Sequence, residues 1–140
     1  YAESPDTPWP SNPSEYTAFA AEIATGKAID LTKPPLVRDR ALWIHPTDYG
    51  PCLDLTDSAR AAALEVIRYQ SVRDPQARAN VAVLTCGAFA ANYVVDRQTW
   101  HLHVNRNGIR AACEFPARTI SFGTDTFAAD PRIAALKWDR

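Results

Sequence analysis

Ile67-Arg68-Tyr69-Gln70-Ser71-Val72-Arg73-Asp74-Pro75 is the stretch on which the reading of this chain turns. It opens as a strand, because Glu65 to Tyr69 is dominated by β-branched, aliphatic and aromatic side chains. From Gln70 to Asn80 the chain becomes polar and bend-prone, and Val81 to Leu84 then returns as a short aliphatic run of the kind that forms a buried strand. Two strands therefore flank Ser71. Side chains leaving a strand end project into the crevice where loops meet, a common place for ligands. An aromatic, a hydroxyl and an arginine leave it here, as Tyr69, Ser71 and Arg73. On spacing alone, Arg73-Asp74-Pro75 reads equally well as a solvated turn.

Upstream, about Pro51 to Leu64 reads as a helix whose stripe of Cys52, Leu55, Ala59, Ala62 and Ala63 is small enough to lie close to a sheet. Before it, Ala28 to Leu31 reads as a short strand stopped by Lys33-Pro34-Pro35. Asn12-Pro13-Ser14-Glu15 has the chemistry of a helix start, and Tyr16, Phe19, Ala20 and Ile23 follow at helical spacing, so a helix is predicted there. The prolines at 5, 8, 10 and 13 make residues 1–13 an extended lead-in, pinned by Trp9.

Downstream, Trp100, Leu102 and Val104 alternate with His101 and His103, and Asn105-Arg106-Asn107-Gly108 is a hairpin turn signal. Ile109 to Phe115 forms the return strand, Arg118 to Phe122 one more, and Asp130-Pro131 begins a terminal helix through Lys137. The expected fold class is α+β, a mixed or antiparallel sheet with flanking helices, in a single domain over residues 1–140.

Fifteen basic and 16 acidic residues leave a formal charge of -1, which removes the electrostatic footprint of a nucleic-acid binder and counts against a ribonuclease. Cys52, Cys86 and Cys113 form no CxxC pair and read as free thiols in a reducing compartment. Val81 to Val95, broken by Thr85, Gly87 and Asn92, falls short of the roughly 20 apolar residues of a membrane span. The chain begins at Tyr1 and has no methionine, which reads as part of a longer translated product.

Other residues invite weaker readings. His101 and His103 share a strand face, but no third metal ligand is identifiable, and an exposed hairpin face is the plainer account. Cys86 and Cys113 fall in apolar-patterned strands and read as core filling. The four tryptophans read as packing anchors, and Asp54, Asp57 and Glu65 as the solvated face and ends of a helix.

Ala28-Ile29-Asp30-Leu31-Thr32, Asp48-Tyr49, Cys52, the run from Ile67 to Pro75, Asn80 and Gly87-Ala88-Phe89 together resemble the carboxy-terminal part of a RES domain, over about residues 14–95, with a hairpin extension over about 96–140. Ser71 falls at the serine of the family's name. Its arginine and glutamate are expected in a segment preceding Tyr1, so that the domain is incomplete at its N-terminus and catalysis belongs to the full-length protein. Leu53 stands where the family's helix motif usually has glutamine, and Gln70 where a proline is often found.

The resemblance implies an ADP-ribosyltransferase-like fold and a cytoplasmic toxin that cleaves NAD as its substrate, needing no cofactor or metal. Ser71 would orient the substrate rather than attack it, Tyr69 and Tyr49 would wall the pocket, and Arg73 would contact an anion. The implied partner is an Xre-like antitoxin with a DUF2384-type domain, and an oligomer is possible; no direct nucleic-acid or membrane partner is implied. The alternative is a catalytically inactive RES-like module that binds protein, through the Trp100 hairpin.

Overall fold

Val66 and Ile67 are the most deeply buried pair of neighbours around which the central part of the chain is built, and the strand that carries them lies between two others. The computed structural model describes residues 6–139. In chain order the elements are β1 (Ser14–Ala20), β2 (Ala28–Asp30), α1 (Arg40–Trp43), α2 (Gly50–Ala61), β3 (Val66–Gln70), β4 (Ala79–Val83), β5 (Asp96–Asn105), β6 (Gly108–Cys113), β7 (Arg118–Phe122) and α3 (Pro131–Ala134). They fall into two compact units, residues 21–93 and residues 1–20 with 94–140. The fold is α+β.

In the unit of residues 21–93, β3 pairs in parallel with β2 (Ala28↔Val66 to Asp30↔Arg68) and antiparallel with β4 (Val66↔Val83 to Gln70↔Ala79). The parallel pair requires a crossover, which α1 and α2 supply. Alternation along β3 sends Ile67 and Tyr69 to the face where Leu31 and the α2 residue Ala59 close a small core, joined by Trp43 and Leu55. Ala59 is 3% exposed, and its small side chain lets α2 lie close to the strands, as its stripe of alanines predicts. On the opposite face Arg68 Nη1 donates to Asp30 Oδ2 at 2.9 Å and to Thr32 Oγ1 at 2.7 Å, tying β2 to β3 through side chains as well as backbone.

α2 ends three residues before the expected Leu64. Ala63 takes a left-handed φ of 53°, its N–H bonds Arg60 O at 3.0 Å, and Leu64 N–H reaches back to Ala59 O at 2.9 Å. That bond pair is a Schellman stop, with alanine in the place glycine usually takes. Glu65 is not a helix end: its carboxylate accepts from Thr25 Oγ1 at 2.5 Å and faces Lys27 Nζ at 3.4 Å, and the Thr25 hydroxyl is the main reason the carboxyl is held below its usual range.

In the other unit the sheet order is β1-β5-β6-β7, antiparallel throughout. The helix expected from Asn12 to Ile23 does not form. Ser14–Ala20 is a strand paired with β5 from Ser14↔Leu102 to Ala20↔Asp96. Tyr16, Thr17 and Phe19 favour extended backbone, and the long partner strand outweighs a weak local helix preference. The hairpin is as read, with Asn105 opposite Gly108; Gly108 holds φ of +119°, and a Cβ there would collide with the Phe122 carbonyl. Trp100 is buried, bonds Gln98 Oε1 through its indole N–H, and lies under the Arg118 guanidinium at 4.8 Å, so it is not an exposed anchor for a protein partner.

Trp9 does pin the lead-in: its ring stacks on Trp138 at 5.4 Å and its Nε1–H donates to the Trp138 carbonyl. α3 is a single turn, shorter than expected, capped by the buried Asp130, whose carboxylate accepts Arg132 N–H at 3.1 Å. The three cysteines are free; Cys113 is buried as expected, whereas Cys86 sits exposed on a short turn after β4 rather than in a strand. His101 and His103 are half-buried rather than exposed, and His101 Nε2 lies 2.7 Å from Glu114 Oε1. Among the described residues no helix is long and apolar enough to cross a membrane.

Two backbone substitutions should act with opposite sign. Ala63→Gly relieves a left-handed alanine and should raise stability by about 0.5–1 kcal/mol, whereas Gly108→Ala should lower it by about 1–3 kcal/mol. Urea denaturation of the two variants checks this, and a destabilised Ala63→Gly protein would contradict the cap described here.

Candidate functional site

β3 and β4 run together until Gln70↔Ala79, and the ladder closes with Ser71 N–H donating to Arg78 O at 2.8 Å. The loop from Ser71 to Arg78 thus leaves the sheet at a fixed point. Asp74 organises it. Its carboxylate accepts Gln76 N–H at 3.0 Å, Arg78 N–H at 3.2 Å and Arg78 Nε at 2.5 Å, and its carbonyl accepts Ala77 N–H at 2.8 Å. The Arg78 side chain is the largest of the influences that hold the Asp74 carboxyl below its usual value.

Ser71 is part of the same turn, its Oγ accepting Asp74 N–H at 3.2 Å. That bond uses an oxygen lone pair and leaves the hydroxyl proton available for donation to another group. Ser71 lines a cleft of about 340 Å³, within the size range of small-molecule pockets. The apolar lining comes from Ile67 and Ala82 on the strands, from Leu31 just after β2, and from Leu55 of α2.

The four residues singled out from the sequence, Ser71, Tyr69, Arg73 and Tyr49, all line this one cleft. Tyr69 reaches it from β3 on the Ile67 face. Tyr49 arrives on the turn before α2, 46% exposed, with its hydroxyl donating to Pro46 O at 3.1 Å. Arg73 Nη2 donates to Pro46 O and to Tyr49 Oη, each at 3.2 Å. The loop after β3 is therefore latched to the turn before α2, and the guanidinium stands at the rim of the cleft.

Three further lining residues were not among the site residues read from the sequence. His45 lies two residues ahead of the Thr47-Asp48-Tyr49 segment, and its Nδ1 accepts Asp48 N–H at 2.7 Å and Thr47 N–H at 3.3 Å. A histidine placed just before Pro46 and a polar turn was the available signal, but its approach to Ser71 depends on the crossover. Cys52 also lines the cleft; its thiol is pushed up, first by burial and then by Asp48, so it has no thiolate character. Gln70, where the family pattern often has proline, accepts from Arg40 Nε at 2.8 Å, a bond proline cannot make. Among the described residues no three His, Cys, Asp or Glu side chains group to hold a metal ion.

Because the folded Asp74 titrates below its usual 3.8, its contribution to stability is complete at neutral pH and is lost as pH falls below about 4 through the lowered folded value. Asp74→Asn should flatten that part of the acid limb of a thermal-midpoint curve. An unchanged acid limb in the variant would show that Asp74 does not brace the loop.

The RES domain family's sequence profile matches residues 1–105, extending at both ends beyond the 14–95 span read from motifs. No curated protein matches the chain at a significant level. With 105 of its 140 residues matched, this chain belongs to the RES domain family, which supports a role related in general to RES-type toxin–antitoxin systems.

Proposed function

We propose that the full-length protein is the toxin of a toxin–antitoxin pair and cleaves NAD, releasing nicotinamide and passing the ADP-ribosyl group to water, phosphate or another acceptor. The observation that carries this reading is the convergence of Ser71, Tyr69, Arg73 and Tyr49 on one cleft in a chain of the RES family. In the reaction the ribose–nicotinamide bond breaks, its electron pair goes to the ring nitrogen, and nicotinamide leaves neutral. The ribose passes through an oxocarbenium-like state, and no strong general acid is needed.

Such a reaction asks for position and electrostatics. Tyr69 and Tyr49 offer aromatic surface to the cationic pyridinium, and Arg73 offers guanidinium N–H groups to the pyrophosphate. Ser71, with its oxygen already accepting Asp74 N–H, donates its proton to an oxygen of the substrate and orients it. An arginine and a glutamate, the other two residues of the family's name, would complete the site, and an Xre-like antitoxin with a DUF2384-type domain would cover its entrance in the cytoplasm.

Incubating the full-length protein with NAD and measuring nicotinamide by chromatography tests the proposal. Ser71→Ala should lower the rate by about 10- to 100-fold, the range of one well-placed hydrogen bond in a transition state. NAD left intact by demonstrably folded protein would remove the reading.

A further inference from the structure

Within the cleft proposed to take NAD, we infer that His45 is a second binding residue of the phosphate subsite, donating an Nε2–H to a phosphate oxygen beside Arg73. The argument starts from its other nitrogen. Nδ1 accepts two backbone N–H groups, from Asp48 at 2.7 Å and from Thr47 at 3.3 Å. A ring nitrogen that receives N–H donors carries no proton, so the neutral ring holds its single proton on Nε2. With the Nδ1 edge tied to the turn, Nε2–H is the polar edge left to the cleft that His45 lines. Among the described residues no protein acceptor bonds that nitrogen.

The same turn holds the arginine. Pro46, next in sequence, offers the carbonyl that accepts Arg73 Nη2, and Tyr49, at the turn's end, accepts from the same nitrogen. Docking the Arg73 loop therefore brings a guanidinium and a neutral N–H donor to one wall. The carboxylate of the turn, Asp48, has Oδ1 engaged by Gly50 N–H at 3.0 Å. Two donors of this kind suit an oxygen that accepts more than one hydrogen bond, as a phosphate oxygen of NAD does.

This inference rests on the NAD reading, and its test separates the two. In His45→Asn the amide oxygen takes the place of Nδ1 and keeps the turn, while the shorter side chain withdraws the donor from the cleft. The full-length variant should melt like the parent, bind ADP-ribose about 10-fold more weakly by calorimetry, show a KM for NAD raised by a similar factor at little-changed kcat, and cleave phosphate-free nicotinamide riboside as the parent does.

Unchanged ADP-ribose affinity in folded His45→Asn, or equal loss on NAD and nicotinamide riboside, would overturn the role of His45 and leave NAD cleavage standing. A parent protein that neither binds ADP-ribose nor cleaves NAD would overturn both. Long-range 1H–15N spectra of the parent, with labelled histidine, give a second measurement that needs no variant. They should show the Nε2–H tautomer at His45 and a shift of that nitrogen on adding ADP-ribose; an Nδ1–H tautomer, or no shift at saturation, also overturns it.

Discussion

The single backbone bond from Ser71 N–H to Arg78 O is the constraint on which the cleft depends. It ends the β3–β4 ladder at a fixed residue, so the register that buries Ile67 also decides which side chains leave the sheet at Ser71 and Arg73. A slip of one residue would turn Tyr69 to the outer face and send Arg68, now paired with Asp30, toward the core. Burial of Ile67 on one side, and of Val66 with the Arg68–Asp30–Thr32 cluster on the other, oppose that slip together. Asp74 then converts the eight residues of the loop from a flexible link into a braced turn, through bonds its neutral form would make less well.

A braced loop would still be useless if the turn before α2 were free to move. Arg73 joins them, donating to a carbonyl and to a phenol oxygen of that turn. The turn is itself fixed from within by His45 and Asp48, each accepting backbone N–H groups. The cleft is therefore built from local hydrogen-bonded turns resting on a very small core.

Much of this was legible in the sequence where local chemistry and long-range pairing agree. The strand before Ser71, the alanine-striped helix, the Asn-Gly hairpin and the strand Arg118–Phe122 all have a pattern that only one kind of backbone satisfies. The segment Ser14–Ala20 does not: Tyr16, Phe19 and Ala20 fit a helical stripe, and Tyr16, Ala18 and Ala20 fit alternation equally well. What decides it is β5, some eighty residues on, and no local rule contains that partner. Ala63 misleads for a different reason, since alanine signals helix continuation while its backbone here stops one. His45 was missed because its meaning lies in a crossover that carries it from ahead of α2 to the strand end beyond it, whereas Ser71 and Arg73 share one short segment. Gln70 was noticed only as a departure from pattern, and its bond to Arg40 joins residues thirty positions apart.

The hydrogen bonds of the cleft also limit the chemistry it can do. A serine nucleophile needs a base with a free lone pair, and His45, the imidazole that lines the cleft with Ser71, has Nδ1 occupied by backbone N–H groups. Cys52 is held as a thiol, so it is no substitute. Among the described residues of the cleft stand the donors Ser71 Oγ–H, His45 Nε2–H and the Arg73 guanidinium, beside two tyrosines. Donors and aromatic faces do little for a reaction that must take a proton from a nucleophile early. They serve well one in which a cationic leaving group departs by itself once its sugar is correctly held. The glycosidic bond of NAD, the substrate proposed for this cleft, is of that second kind, and its cleavage asks that the substrate be gripped and oriented while a carboxylate meets the positive charge growing on the ribose.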